Sequence, residues 1–115
     1  MKENVVVNKS KAFAIRIIRL YQYLLSDKKE YILSKQLLRS GTSIGANVKE
    51  AIQGQSKKDF IAKMQISLKE ASETEYWLDL LHETDYLDEN QYISINNDCV
   101  ELIKLLTSII KQSKE

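Results

Sequence analysis

The stretch that decides the fold runs from Tyr92 to Ile109 and reads YISINNDCVELIKLLTSI. Its apolar residues recur at spacings of three, four, three, four and three: Tyr92, Ile95, Cys99, Leu102, Leu106 and Ile109. With this heptad spacing a helix presents one apolar stripe to its neighbours. We therefore expect a helix over about residues 88–113, with Asp88 as its N-cap.

The same three- and four-residue spacing recurs upstream, and no segment alternates with period two. It predicts further helices over about residues 9–26, 31–53 and 57–84. We expect Gly54 to be the C-cap of the second helix and Ser56 to be the N-cap of the third. Because the connections are short, the prediction is an all-α, antiparallel up-down-up-down four-helix bundle.

Two of these helices carry informative side faces. The first has two neighbouring apolar seams: Phe13, Ile17, Leu20 and Leu24, and beside them Ala14, Ile18, Tyr21 and Leu25. The third places Glu75 in an otherwise apolar line, where a buried carboxylate needs a partner. If Tyr31 lies level with Thr84, then Arg39 is level with about residue 76, so Arg39 and Glu75 can meet as a pair, within a subunit or across an interface.

The composition describes one domain, spanning residues 1–115. The chain has no Pro, 3 Gly and 43% hydrophobic residues, and about 100 residues suffice for a self-supporting core. A single Cys excludes an internal disulfide. The longest stretch without a charged residue is residues 40–48, about half of a membrane-spanning helix. We expect a cytoplasmic protein that does not enter the membrane, since the N-terminus also lacks a secretory signal.

The formal net charge of +1 conceals an uneven distribution. Residues 1–57 hold 11 Lys and Arg against 4 Asp and Glu, whereas residues 58–115 hold 6 against 12. Between Glu70 and Ile103 there are ten carboxylates and no Lys or Arg, which repels nucleic acid. The sequence leaves two interpretations open, a solvated acidic face or an interface between basic and acidic surfaces of neighbouring subunits.

Most enzyme classes fail on the residues available. One His and one Cys cannot form a His/Cys metal site, so His82 is expected to be packed at a helix end and Cys99 to be an inert core thiol. One alternative function remains, a Mg²⁺-dependent all-α nucleotide pyrophosphohydrolase. Its carboxylates would come from two helices and converge on one ion: Glu70, Glu73, Asp98 and Glu101.

The second helix carries small residues where helix formation disfavours them. Gly41 and Gly45 each cost about 1 kcal/mol relative to Ala, which suggests a close helix approach. The seam that faces the bundle is expected to contain Leu37, Gly41, Ile44, Val48 and Ala51. A polar stripe lies beside it, formed by Gln36, Ser40, Ser43 and Asn47. Periodicity alone does not separate a solvated stripe from a subunit contact.

Three stretches together carry a resemblance to a known family. They are LLRS continuing through SIGAN to a glutamate (37–50), KKDF (57–60), and ASETE leading into WL and YL (71–87). The chain resembles the small bacterial four-helix-bundle proteins encoded within intervening sequences of large-subunit (23S) ribosomal RNA genes. The resemblance implies a homopentameric ring and kinship with the accessory protein of diversity-generating retroelements, which partners a reverse transcriptase and nucleic acid. It supplies no catalytic residues.

These observations predict a non-enzymatic oligomeric scaffold or adaptor that needs no metal or cofactor, and two sets of residues are candidates for its contacts. The first set comprises candidates for oligomer or helix packing: Arg39, Ser40, Gly41, Ser43, Gly45, Asn47 and Glu75. The second comprises candidates for weak nucleic-acid association, expected on one side of helix 1 and the start of helix 2: Lys9, Lys11, Arg16, Arg19, Lys28, Lys29 and Lys35. A further protein partner is equally compatible with a scaffold.

Overall fold

Four helices account for nearly all of the chain in the computed structural model, which describes residues 2–115, with side chains from residue 4 onward. They are α1 (Lys2–Ser26), α2 (Leu33–Ile52), α3 (Lys57–Glu83) and α4 (Glu89–Lys114). No strand occurs in residues 2–115, which confirms the all-α prediction. The bundle measures 44 × 20 × 18 Å. Within the described chain, none of the four helices has the length and apolar character needed to cross a bilayer.

Neighbouring helices run antiparallel, as the short connections predict. Along the α1/α4 contact, Lys9 bonds Glu101 while the later residue Arg16 bonds the earlier residue Asp98. The α2/α3 contact shows the same reversal, because the Thr74 hydroxyl donates to Ser40 and the Ser67 hydroxyl donates to the carbonyl of Ile44. Each helix packs against two neighbours around one core.

The core seams of α2 and α4 are the ones predicted from spacing. Every member of the α2 seam from Leu37 to Ala51 is buried, and so is the α4 series from Ile95 to Ile109. In α1 the first seam supplies the core, with Phe13, Ile17 and Leu24 buried. Burial of apolar side chains contributes about 1.5–3 kcal/mol for each residue, so these seams provide most of the driving force for folding.

The start of α1 differs from the prediction. The helix begins at Lys2 rather than near residue 9. The run of three valines, residues 5–7, has modest helix propensity, so local preference alone does not make this segment helical. Val6 and Ser10 are nevertheless buried against the bundle. Tertiary packing therefore extends the helix by two turns beyond the predicted start.

The start of α2 also differs, and the reason is a buried carboxylate. The helix begins at Leu33 rather than Tyr31. Glu30 accepts hydrogen bonds from the backbone N–H groups of Ile32 (2.9 Å), Leu33 (2.7 Å) and Ser34 (2.9 Å). The Ser34 hydroxyl in turn donates to the Glu30 carbonyl at 2.8 Å. Glu30 thus satisfies N–H groups that a helix start leaves without partners.

The remaining helix ends follow the predictions except at Gly54. Ser56 accepts from Asp59 N–H at the start of α3. Asp88 and Gln91 form a reciprocal capping box at the start of α4. The C-cap of α2 is Gln53, and Gly54 does not adopt a left-handed conformation. The positive φ angles in the described chain belong to Lys29 and Asp85 instead.

The buried line of α3 contains Thr74 where the spacing placed Glu75. Its members are Met64, Ser67, Ala71, Thr74, Leu78 and Leu81. In this line the residue after Ala71 comes three positions later, at Thr74, and not four positions later, at Glu75. Glu75 therefore lies at the edge of the buried face. Thr74 and Ser67 satisfy their hydroxyls by bonding to α2. Buried polar groups therefore link α2 to α3 without a buried charge.

Candidate functional site

The two glycines of α2 lie where α1 packs closely against it. A Cβ atom at Gly41 would lie 2.7 and 2.8 Å from the Cγ atoms of Ile17, closer than side chains tolerate. At Gly45 it would lie 3.3 Å from the carbonyl oxygen of Ser10. The close approach suggested by these glycines is thus between α1 and α2 of one subunit.

The predicted polar stripe divides between the interior and the edge of α2. Ser40 is fully buried and accepts a 2.9 Å hydrogen bond from Thr74 of α3. Ser43 and Asn47 are half-buried and bond back to carbonyls of their own helix, those of Arg39 and Ser43. Ser40 is therefore a helix-packing residue, whereas Ser43 and Asn47 retain surface beside it.

An apolar groove runs along the outside of α1 and α2, and we name it the α1/α2 groove. It has a volume of about 450 Å³. Half of its lining residues are apolar or glycine: Val7, Ala14, Gly45, Ala46 and Ile52. Two lysines, Lys11 and Lys49, also line it, and neither has an ion pair among the described residues. The groove is thus an apolar surface with a basic rim.

The second apolar seam of α1 extends this surface. Ile18 is 41% exposed, and Ala14, Tyr21 and Leu25 are only half-buried. The two seams of α1 therefore do not both enter the core, because α2 covers the adjacent seam at Ile17 and leaves these residues at the edge. Contiguous exposed apolar surface of this kind is typical of interaction sites.

Arg39 lies in an ion cluster with two carboxylates of α3, and this corrects the predicted pairing with Glu75. Its guanidinium donates to Glu70 at 2.8 Å and to Glu73. The Trp77 indole also donates to Glu73, at 2.9 Å. The bonds from Trp77 and then Arg39 lower the pKa of Glu73, and the contacts with Glu73 and then Glu70 raise the pKa of Arg39. Because Arg39 is half exposed, this pair is not the buried one expected.

Glu75 instead lies at the α3/α4 edge, near the core thiol. Burial, and then the charge of Glu75, raise the pKa of Cys99 to about 12. The thiol donates to the carbonyl of Ala71 at 3.4 Å. A protonated and enclosed thiol is a poor nucleophile, which agrees with the predicted inert role.

The four carboxylates of the alternative magnesium site do not converge. Glu70 and Glu73 face α2, where Arg39 binds both. Asp98 and Glu101 face α1 on the other side of the bundle, where they bond to Arg16 and Lys9: Asp98 at 2.6 Å and Glu101 at 3.1 Å. No three His, Cys, Asp or Glu side chains within residues 4–115 form a group able to hold a metal.

The basic candidates of α1 and α2 do not gather on one side. Successive helical residues are turned by about 100°, so Lys11 projects roughly opposite to Lys9. Lys9 and Arg16 face α4 and are paired with its carboxylates. The four other candidates carry no ion pair among the described residues: Arg19, Lys28, Lys29 and Lys35. Two of the seven positive charges are therefore offset within the subunit.

His82 is packed, as expected, at the end of α3. Its ring stacks on Tyr92 with centroids 4.2 Å apart, and Nε2 lies 3.1 Å from Glu89. Burial and the surrounding carboxylates, Asp79 and Glu75 first, raise the pKa of Tyr92. These contacts join the end of α3 to the start of α4.

The sequence motifs of α2 and α3 now have structural roles in one bundle. Arg39 and Ser40 contact α3, the glycines contact α1, and Glu73 with Trp77 completes the ion cluster. A family model described as "23S rRNA-intervening sequence protein" matches residues 2–108 of the chain. The chain belongs to this family. The resemblance drawn from the sequence is thereby confirmed over nearly the whole chain.

One solved structure is closely similar to this chain. It is the crystal structure of a protein with unknown function from the S23 ribosomal protein family of Bacteroides thetaiotaomicron. The two share 61% sequence identity and superpose with a TM-score of 0.95, covering 96% of this chain and 99% of that one. No curated protein matches the chain.

Sequence reasoning missed Glu30, Thr74 and Tyr23 as contributing residues, and it did not show that Trp77 bonds to Glu73. Glu30 stands three to four residues before Leu33 and Ser34, a spacing that suits a helix cap. It follows three other charged residues, Asp27, Lys28 and Lys29, and the sequence does not distinguish it from them. Tyr23 follows Arg16 and Arg19 at helical spacing and lies with them beside α4. That spacing was the available signal for an aromatic residue beside basic ones.

Proposed function

We propose that the protein is a non-enzymatic, cytoplasmic scaffold that works as a homo-oligomer. The observation that carries this proposal is the exposed apolar surface formed by the α1/α2 groove and the second seam of α1. Ile18 and Ile52 are exposed to 41% and 44%, and Val7 of the groove lining is exposed to 36%. Burying such side chains is favourable by about 25 cal/mol per Å² of apolar area.

We propose the outer face of α3 on a second copy as the surface that covers this groove. Ile66 and Tyr76 are exposed there. Asp79 and Glu83 lie on the same helix, are exposed, and have no ion pair among the described residues. Their negative charge complements the lysines at the groove rim, which favours encounter and orientation of the two copies.

A contact between two different surfaces gives a head-to-tail assembly. Such a contact repeats from subunit to subunit and closes into a ring when the rotation allows it. Family resemblance supports five subunits. The scaffold would then present five copies of each remaining surface, so that weak contacts to a further partner add in avidity.

Light scattering tests the assembly. We expect an oligomer, with five subunits as the predicted number, that dissociates partly as salt is raised because rim charges are screened within about 8 Å at physiological ionic strength. Ala46→Glu places a carboxylate in the groove and is expected to yield a folded monomer. The matched control is Ala12→Glu, the same change at an exposed position of α1 on the α4 side. A wild-type monomer at micromolar concentration contradicts the proposal.

The absence of catalysis is tested directly with metal and nucleotide. Calorimetry with Mg²⁺ or Mn²⁺ is expected to show no tight site, since Glu73 and Asp98 are already paired with Arg39 and Arg16. Nucleoside triphosphates are expected to survive incubation with the protein. Hydrolysis that disappears in both Glu73→Gln and Asp98→Asn would establish the alternative enzyme.

A further inference from the structure

A second groove, between α1 and the start of α4, lies outside the assembly surfaces proposed above. We name it the α1/α4 groove. Its volume is about 510 Å³, within the range of about 300–1,000 Å³ typical of small-molecule sites. Its floor is apolar, with Leu87 and Ile95 buried and Leu20 half-buried. A planar or apolar group can pack on such a floor.

The wall of this groove supplies hydrogen-bond donors and one unpaired cation. Arg16 is fixed, because it donates to Asp98 at 2.6 Å and to the Ser94 hydroxyl at 3.0 Å. Arg19 is exposed and has no ion pair among the described residues. The side-chain oxygen of Gln91 accepts from Asp88 N–H at 2.9 Å, so its amide nitrogen keeps both donors for another group.

The groove thus places an unpaired cation and free amide donors beside an aromatic wall. Tyr23 lies one helical turn beyond Arg19 and is half-buried in the lining. No carboxylate is among the lining residues. The floor and Tyr23 suit a ring, whereas Arg19 and Gln91 suit a phosphate or carboxylate.

We infer that the α1/α4 groove binds a small molecule composed of a planar ring and one anionic group, of which a nucleoside monophosphate is the representative. The anionic group lies on Arg19 and the Gln91 amide, and the ring packs on Tyr23. A polyanion is disfavoured, because the exposed carboxylates Asp88 and Glu89 directly precede the groove residues of α4.

Calorimetric titration with adenosine monophosphate, adenosine and inorganic phosphate tests the assignment. The monophosphate is expected to bind saturably, and the two fragments each to bind at least about tenfold more weakly, since each keeps only one of the two interactions. Arg19→Gln is expected to weaken the monophosphate about tenfold through loss of a charge-assisted bond. Tyr23→Leu is expected to weaken it about fivefold and to leave phosphate unchanged.

The matched control for Arg19→Gln is Lys35→Gln, which removes the same charge from an exposed position on α2 outside the groove. It is expected to leave binding unchanged, and far-UV circular dichroism verifies that all variants remain folded. Equal losses in Lys35→Gln and Arg19→Gln would overturn the assignment to this groove. So would absence of saturable binding, phosphate binding as tightly as the monophosphate, or an oligoadenylate binding far more tightly per site.

Discussion

Replacement of Glu30 is the sharpest test of how α2 is positioned. Its side chain is only 7% exposed, and its carboxylate accepts from three consecutive N–H groups at the helix start. Loss of a capping side chain costs about 0.5–2 kcal/mol, and the interaction of a carboxylate with the helix dipole adds about 0.3–1 kcal/mol. We expect Glu30→Ala to lower the free energy of unfolding by about 2–3 kcal/mol and Glu30→Gln by about 1 kcal/mol.

The same carboxylate makes stability depend on pH. Burial raises the pKa of Glu30, but the hydrogen bonds from Ser34, Leu33 and Ile32 outweigh it, so the net pKa is lowered. A lowered folded-state pKa means that the stabilisation is complete above the unfolded value of about 4.3 and is lost as the pH falls through the folded-state value. The difference between wild type and Glu30→Gln is therefore expected to be largest at neutral pH and to shrink below about pH 4.

Urea unfolding followed by circular dichroism measures both effects, at one protein concentration because assembly contributes to stability. At this chain length about 1 kcal/mol corresponds to about 4 °C in Tm, so thermal unfolding is an independent readout. Glu50→Gln is the control. It changes an exposed glutamate of α2 whose ion pair with Lys63 is solvated, and it is expected to shift stability by less than about 0.5 kcal/mol. Identical unfolding of wild type and Glu30→Gln at every pH would refute the capping role.

Three further predictions follow from the packing and the charges. Gly41→Ala is expected to destabilise the protein by about 1–3 kcal/mol, although alanine favours helices more than glycine does, because the added methyl overlaps Ile17. In a double-mutant cycle measured by urea unfolding, Ile17→Ala is expected to remove much of that penalty. Thr74→Val is expected to cost about 1–3 kcal/mol, because it leaves the Ser40 hydroxyl short of a hydrogen-bond partner. Glu75→Ala is expected to change stability by about 0.5 kcal/mol or less. If Glu75→Ala lowers the unfolding midpoint more than Thr74→Val does, the register of α3 is contradicted. Filter binding with structured RNA is expected to give weak, sequence-indifferent association that fades between about 50 and 200 mM salt, and salt-resistant selective binding would show that the acidic half of the chain does not limit it.

The sequence alone determined the number of helices, most of their ends and the seams of α2 and α4. It did so because short-range periodicity and capping chemistry act within a few residues. The family also followed from the sequence, since the motifs on α2 and α3 can be recognised without knowing which residues they contact. The early start of α1 was not readable, because the valines become helical only when Val6 has a core to enter.

Only the tertiary structure decided which charged and polar residues meet. Arg39 binds Glu70 and Glu73 rather than Glu75, and the four carboxylates considered for magnesium face different helices. Moving one residue along α3 turns the side chain by about 100° around the helix. Two residues at the same height along the bundle therefore do not necessarily meet across two packed helices. The 100° turn between successive residues likewise puts Thr74 rather than Glu75 in the core line of α3, and Ile17 rather than Ile18 in that of α1. Periodicity defines a face, whereas its partner depends on how the helices are rotated against one another, and that rotation is set by the packing of the whole core.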